Sequence, residues 1–270
     1  MDLQPDDQKN SDEACAHISS HKAELIQTFV LNQNPVKINL MTIFMAGSPG
    51  SGKTEFAQRY LPSLINIDGI KKLLRKEGFE INENSNLFIH IDVDKIRDFI
   101  PQYTKTDIKS GIKANSHIIQ KAANKGLDIL RDYCFKNDIS FLHDGTFGNF
   151  KTMRDLVVKS LGTGRMVQIN YLYLDPVSAW NFTQAREYVE GRNIILDKFI
   201  DQYFSSRQNV DKIKIEFGDK VKINCIFKNP HNQVEEILFN QRSIDSCLQT
   251  KYNDKTIVNY SRDDLYQLLK

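Results

Sequence analysis

The stretch GSPGSGKT, Gly47 to Thr54, constrains this chain more than any other part of it. It satisfies the pattern GxxxxGK followed by Ser or Thr, and it stands between an apolar run, Ile38 to Ala46, and a segment of helical character. In that context the glycines let the backbone of Gly47, Ser48, Pro49, Gly50, Ser51 and Gly52 curl around an anion at the positive end of the following helix. Lys53 would reach the outer phosphates of a nucleotide and Thr54 would ligate magnesium. The plain alternative is a glycine-rich turn that only joins strand to helix.

A strand feeding such a turn implies an α/β fold, and the rest of the chain is written the same way. Apolar runs at Leu87 to Asp94, Ile139 to Thr146, Met166 to Asp175 and Val221 to Asn229 each end in acidic or polar residues, with helical periodicity between them, as in His117 to Phe135. The pattern predicts a P-loop NTPase/kinase fold: a mostly parallel sheet covered by helices on both faces. Ligands in such sheets gather beyond the carboxyl ends of the strands, where Gly47, Asp92, Asp94, Asp144, Thr146 and Asp175 would converge.

Three segments are expected. Residues 1–36 read as a loose tail to about Ser20 and a helix from about His21 to Leu31; residues 37–230 form the P-loop domain; residues 231–270 pack on it as a short apolar segment and a closing helix, Ser261 to Leu269, with Ser261 and Asp264 spaced for a capping box. An insert, Asn66 to Asn86, separates the P-loop helix from the next strand.

Of the 270 residues, 36 are Lys or Arg and 34 Asp or Glu, a balance that argues against a nucleic-acid-coating protein. No run approaches the length of a membrane span and the amino terminus has no apolar signal core. Cys15, Cys134, Cys225 and Cys247 lie far apart with no CxxC pair, which predicts reduced thiols in a cytoplasmic-type compartment rather than zinc or a disulfide framework.

A P-loop does not say what becomes of the γ-phosphate, so the other polar residues must. Asp92 and Asp94 would leave a strand end on the same side if extended geometry persists that far, and a carboxylate there can orient an alcohol and take its proton; the alternative is that one of them caps a helix beginning near Lys95. In HDGTF, Asp144 could hold magnesium or grip the acceptor, with Thr146 beside it, the ordinary alternative being a tight turn that starts a helix, while His143 reads as a packing or hydrogen-bonding residue. Arg186, Arg192 and Arg207 follow the fourth apolar run in a polar segment, where arginines can close over a transferring phosphoryl group or simply carry surface charge.

Taken together, AGSPGSGKTEF, IDVDKIR, HDGTF and REYVEGR resemble the zeta-toxin family of P-loop kinases over about Asn39 to Asn229. That resemblance implies transfer of a phosphoryl group from ATP, with Mg2+, to the 3′-hydroxyl of UDP-N-acetylglucosamine or a related UDP-sugar. It assigns Lys53 and Thr54 to ATP and magnesium, Asp94 as general base, Asp144 and Thr146 to the sugar nucleotide, and Arg186 and Arg192 to the phosphates; Asp92 and Asp94 are also expected to line the acceptor site. It also implies an antitoxin or immunity partner, and opens the option of delivery to another cell. Two departures stand out. Asp144 replaces the glutamate those toxins carry before Gly-Thr, and no acid lies near Ser116 and His117 where they carry a second glutamate. Competing readings are a polynucleotide or nucleoside kinase, and a nucleotide-dependent binding module without catalysis.

Overall fold

A computed structural model of the protein describes residues 4–104, 115–190 and 194–270. The chain opens with helices α1 (Pro5–Ser20) and α2 (Lys22–Phe29), then strand β1 (Ile38–Ala46) and helices α3 (Lys53–Arg59), α4 (Leu61–Leu64) and α5 (Ile67–Lys76). Strand β2 (Ile89–Asp92), α6 (Val93–Asp98), α7 (Ser116–Lys136), β3 (Ile139–Asp144) and α8 (Phe150–Gly162) follow. The remainder is β4 (Met166–Tyr173), α9 (Pro176–Glu190), α10 (Leu196–Phe217), β5 (Val221–Lys228), β6 (Val234–Leu238), α11 (Ile244–Asn253) and α12 (Arg262–Leu269).

The six strands form one sheet in the order β2-β3-β1-β4-β5-β6. β1 pairs parallel with β4, Met41 opposite Met166 and Ala46 opposite Tyr171, and β4 pairs parallel with β5. β6 runs against its neighbour, pairing antiparallel with β5. The unbroken burial of Met41 through Ala46 is what a parallel strand covered by packing requires.

Two compact units interleave along the chain: Met1–Leu40, Ser63–Leu142 and Arg186–Asn193 form the first, and Met41–Pro62, His143–Ala185 and Ile194–Lys270 the second. In the second, Phe44, Phe147, Ile169, Tyr171, Phe199, Tyr203, Ile223 and Cys225 belong to one buried apolar cluster, with Phe44 meeting Phe147 edge to face at 5.6 Å. In the first, α1 packs along α7. Gly126 of α7 lies so close to α6 that a Cβ there would sit 2.8 Å from Ile96 Cγ2.

Several boundaries differ from expectation. The supposed loose tail is α1, with Pro5 starting the helix, Asp6 and Asp7 in its first turn, and a narrow buried stripe of Ser11, Ala14 and Ile18 at helical spacing. The helix expected from about His21 to Leu31 runs only from Lys22 to Phe29 before a 3-10 turn. The insert after α4 contains α5, whose cap Asn66 accepts a hydrogen bond from the Gly69 amide at 3.2 Å. The run Leu87 to Asp94 is extended only from Ile89 to Asp92, because a helix begins at Val93. The capping box at Ser261 and Asp264 forms as the spacing predicts, whereas α11 was not anticipated. Among the described residues no helix is long and apolar enough to cross a membrane.

Candidate active site

In the second unit, β1 delivers the chain into the turn Gly47–Gly52 and α3 starts at Lys53. All three glycines of the turn, Gly47, Gly50 and Gly52, sit at positive φ with no room for a Cβ. Gly50 sits at φ +73, and a Cβ on it would lie 2.1 Å from the Ala179 carbonyl oxygen; Gly52 sits at φ +72, with Lys228 Nζ 2.3 Å from the place of its Cβ. The turn is fastened from inside by Ser51, whose buried hydroxyl donates to the Ser48 carbonyl at 2.8 Å. From outside, the Gly47 amide donates to Ser206 Oγ of α10 at 2.7 Å and to the Thr146 carbonyl at 3.4 Å.

Lys53 folds over this turn, its ammonium donating to the Ser48 carbonyl at 2.6 Å and to the Gly47 carbonyl at 3.3 Å. An anion in the cradle would compete for those same donor protons. Thr54 Oγ1 donates to Asp144 Oδ2 at 2.7 Å, and Asp144 is buried at the carboxyl end of β3. A hydroxyl and a carboxylate are hard oxygen donors, the set that suits Mg2+, which takes one or two such groups and otherwise keeps water and phosphate oxygens. The described residues contain no group of three His, Cys, Asp or Glu side chains placed to hold a metal by themselves.

Lys228 of β5 was not foreseen. Its side chain is buried, its ammonium donates to the Gly52 carbonyl at 3.3 Å, and burial pulls its pKa down to about 8, with Glu55 opposing and Arg59 adding to the fall. Asp175 caps the start of α9, accepting from the Val177 and Ser178 amides at 3.1 and 3.0 Å. His143 is buried against Phe44, in keeping with a packing role. Arg207 bonds to Tyr252 Oη at 3.1 Å, lies over the Phe204 ring and pairs with Asp245, so it ties α10 to α11.

Asp92, Asp94 and Arg186 belong to the first unit, and Arg192 lies outside the described residues. Asp92 is the N-cap of α6, its Oδ1 accepting from the Asp94 amide at 2.9 Å. Capping thus ends the extended geometry before Asp94, which stands in the first turn of the helix rather than on the strand. Arg97, one turn further on, donates through Nη1 to Asp94 Oδ1 and through Nη2 to Gln120 Oε1 of α7 at 2.6 Å. The first turn of α7 carries no acid, as the sequence indicated for Ser116 and His117. Arg186 is half-buried on α9.

The turn, Lys53, Thr54, Asp144 and Thr146 are therefore gathered in one unit, with Ser206 and Lys228 added to them. Residues 30–244 match the sequence family described as zeta toxin. A comparison with curated proteins gives no match. Among solved structures, a chain from the PezAT chromosomal toxin-antitoxin system of Streptococcus pneumoniae aligns with 94% of this chain and 93% of its own at 13% identity and TM-score 0.53. A chain from the AvrRxo1-ORF1:-ORF2 structure with ATP aligns with 96% of this chain and 76% of its own at 12% identity and TM-score 0.55. At such identities the likeness is one of fold.

Proposed function

The chain belongs to the zeta toxin family, whose members are P-loop kinase-type toxins, and we propose that it transfers the γ-phosphate of ATP to a hydroxyl of a nucleotide sugar of the UDP-N-acetylglucosamine kind. The observation that carries this reading is the hydrogen bond from Thr54 Oγ1 to the buried Asp144 carboxylate, 2.7 Å long, beside a complete phosphate-binding turn. Thr54 and Asp144 are the pair that would hold magnesium, and the ion, when bound, offsets charge on the β- and γ-phosphate oxygens. Lys53 leaves the Ser48 carbonyl for those oxygens, and the turn from Gly47 to Gly52 surrounds the β-phosphate.

Asp94 serves as general base. The acceptor oxygen bonds to the γ-phosphorus, the bond from that phosphorus to the bridging oxygen breaks with its electron pair leaving on ADP, and the hydroxyl proton passes to the Asp94 carboxylate. Arg97 keeps that carboxylate oriented, while Asp92 shapes the turn that presents it. Thr146 contacts the acceptor, and Arg186 and Arg192 neutralise charge on the transferring group. Asp144, engaged by Thr54, serves the metal rather than the sugar, so the acceptor grip differs from that of toxins with glutamate at this place. A restraining protein partner follows by analogy with the PezAT toxin-antitoxin system.

Incubation with ATP, Mg2+ and a panel of UDP-sugars, read by mass spectrometry, should yield a product heavier by one phosphate. Phosphorylation of oligonucleotide 5′-ends or nucleosides instead would move the acceptor class. ATP binding without any product would leave a binding module and end the kinase reading.

A further inference from the structure

Lys228 is out of place as an ordinary structural lysine. It closes β5, it is 6% exposed, and its one hydrogen bond among the described residues, to the Gly52 carbonyl, uses a single one of its three donors. The charged groups acting on it are Glu55, which favours the ammonium, and Arg59, which opposes it, both on α3, and among the described residues Lys228 forms no ion pair. Taking an ammonium out of water without pairing it is costly, so this cation is held at a loss where the P-loop turns into α3. Gly52 has no Cβ at the point where Lys228 Nζ and Asn232 Oδ1 crowd in, which brings the ammonium against the backbone of the phosphate-binding turn itself.

We propose that Lys228 is a second cation of the phosphate cradle, recruited from β5, which braces the turn at Gly52 and strengthens its hold on a nucleoside triphosphate. The inference rests on the reading of Gly47–Thr54 as a phosphate site. A triphosphate arriving nearby adds negative charge to the little that Glu55 supplies, and Lys53 remains the lysine that touches the phosphates directly.

A consequence separates this role from simple packing. The free ammonium titrates at about 8, and a neighbouring polyphosphate favours its charged form and lifts that value. Above about pH 8 the ATP-bound protein therefore holds more of this proton than the free protein, so ATP binding takes up protons there. Affinity falls as pH rises through the free value.

Calorimetric titration of the protein with Mg-ATP at pH 8.5, in two buffers of different ionisation enthalpy, reads both quantities. Wild type is expected to take up protons, and Lys228→Met to bind ATP about tenfold more weakly with the uptake gone. Lys228→Arg, charged at every accessible pH, should keep most of the affinity and lose the uptake, and it carries the test if Lys228→Met does not fold. Unchanged affinity and uptake in Lys228→Met, or wild-type uptake in Lys228→Arg, would overturn the proposal. Lys53→Ala serves as the reference: if it binds ATP as well as wild type, the phosphate-site reading itself has failed, an outcome distinct from normal binding confined to the Lys228 variants.

Discussion

Replacing Thr54 by valine removes a hydroxyl and almost nothing else, and its consequences can be worked out from one contact. Thr54 Oγ1 donates at 2.7 Å to Asp144, which is 7% exposed. Hydrogen bonds to charged groups contribute about 1.5–3 kcal/mol, and because Thr54 is only half-buried the lower end applies. At roughly 2–4 °C per kcal/mol for a chain of this size, the nucleotide-free Thr54→Val protein should melt about 3–6 °C below wild type. Thr54→Ser, which keeps the hydroxyl, should melt close to wild type. The same valine also removes the proposed magnesium donor, so the Mg2+ concentration giving half-maximal transfer should rise at least about tenfold. A scanning-calorimetry melt without nucleotide checks the first statement and a Mg2+ titration the second. If Thr54→Val melts with wild type, the Thr54–Asp144 bond is not holding this corner, and the observation on which the functional reading stands is lost.

Gly50→Ala would force an L-residue to φ +73 and push its Cβ toward the Ala179 carbonyl oxygen, 2.1 Å from the ideal position. It should cost about 2 kcal/mol of stability and raise the Kd for a fluorescent ATP analogue at least tenfold, and wild-type binding by a folded Gly50→Ala protein would show that the turn tolerates what its geometry forbids. Ser261→Ala removes the capping box of α12 and should destabilise by about 1 kcal/mol in a urea melt. No change in the midpoint would mean that α12 frays without consequence.

Sequence legibility followed the range of the interactions involved. β1 and its turn were readable because burial on both sides makes the strand continuously apolar and because the phosphate motif is local and complete. The fold class followed from the same alternation. Ser206 and Lys228 were not readable, since they reach Gly47 and Gly52 from 159 and 176 positions away, and no local pattern marks such a meeting. α1 was missed because its buried stripe is Ser11, Ala14 and Ile18, too small and too polar to register as an apolar face. Asp94 fell between two local codes: the apolar alternation of Leu87 to Val93 reads as strand, yet Asp92 is a good cap, and capping wins at Val93. The capping reading had been open from the sequence, and only the structure chose Asp92 for it.

In the proposed reaction a triphosphate held by the Gly47–Thr54 turn gives up its γ-phosphate to an alcohol whose proton goes to Asp94. Single-turnover transfer from γ-labelled ATP, measured for wild type and Asp94→Asn alongside their ATP dissociation constants, tests it most directly. Equal ATP binding with transfer slowed at least about 100-fold in Asp94→Asn is the expected result. Transfer at the wild-type rate by Asp94→Asn would contradict it.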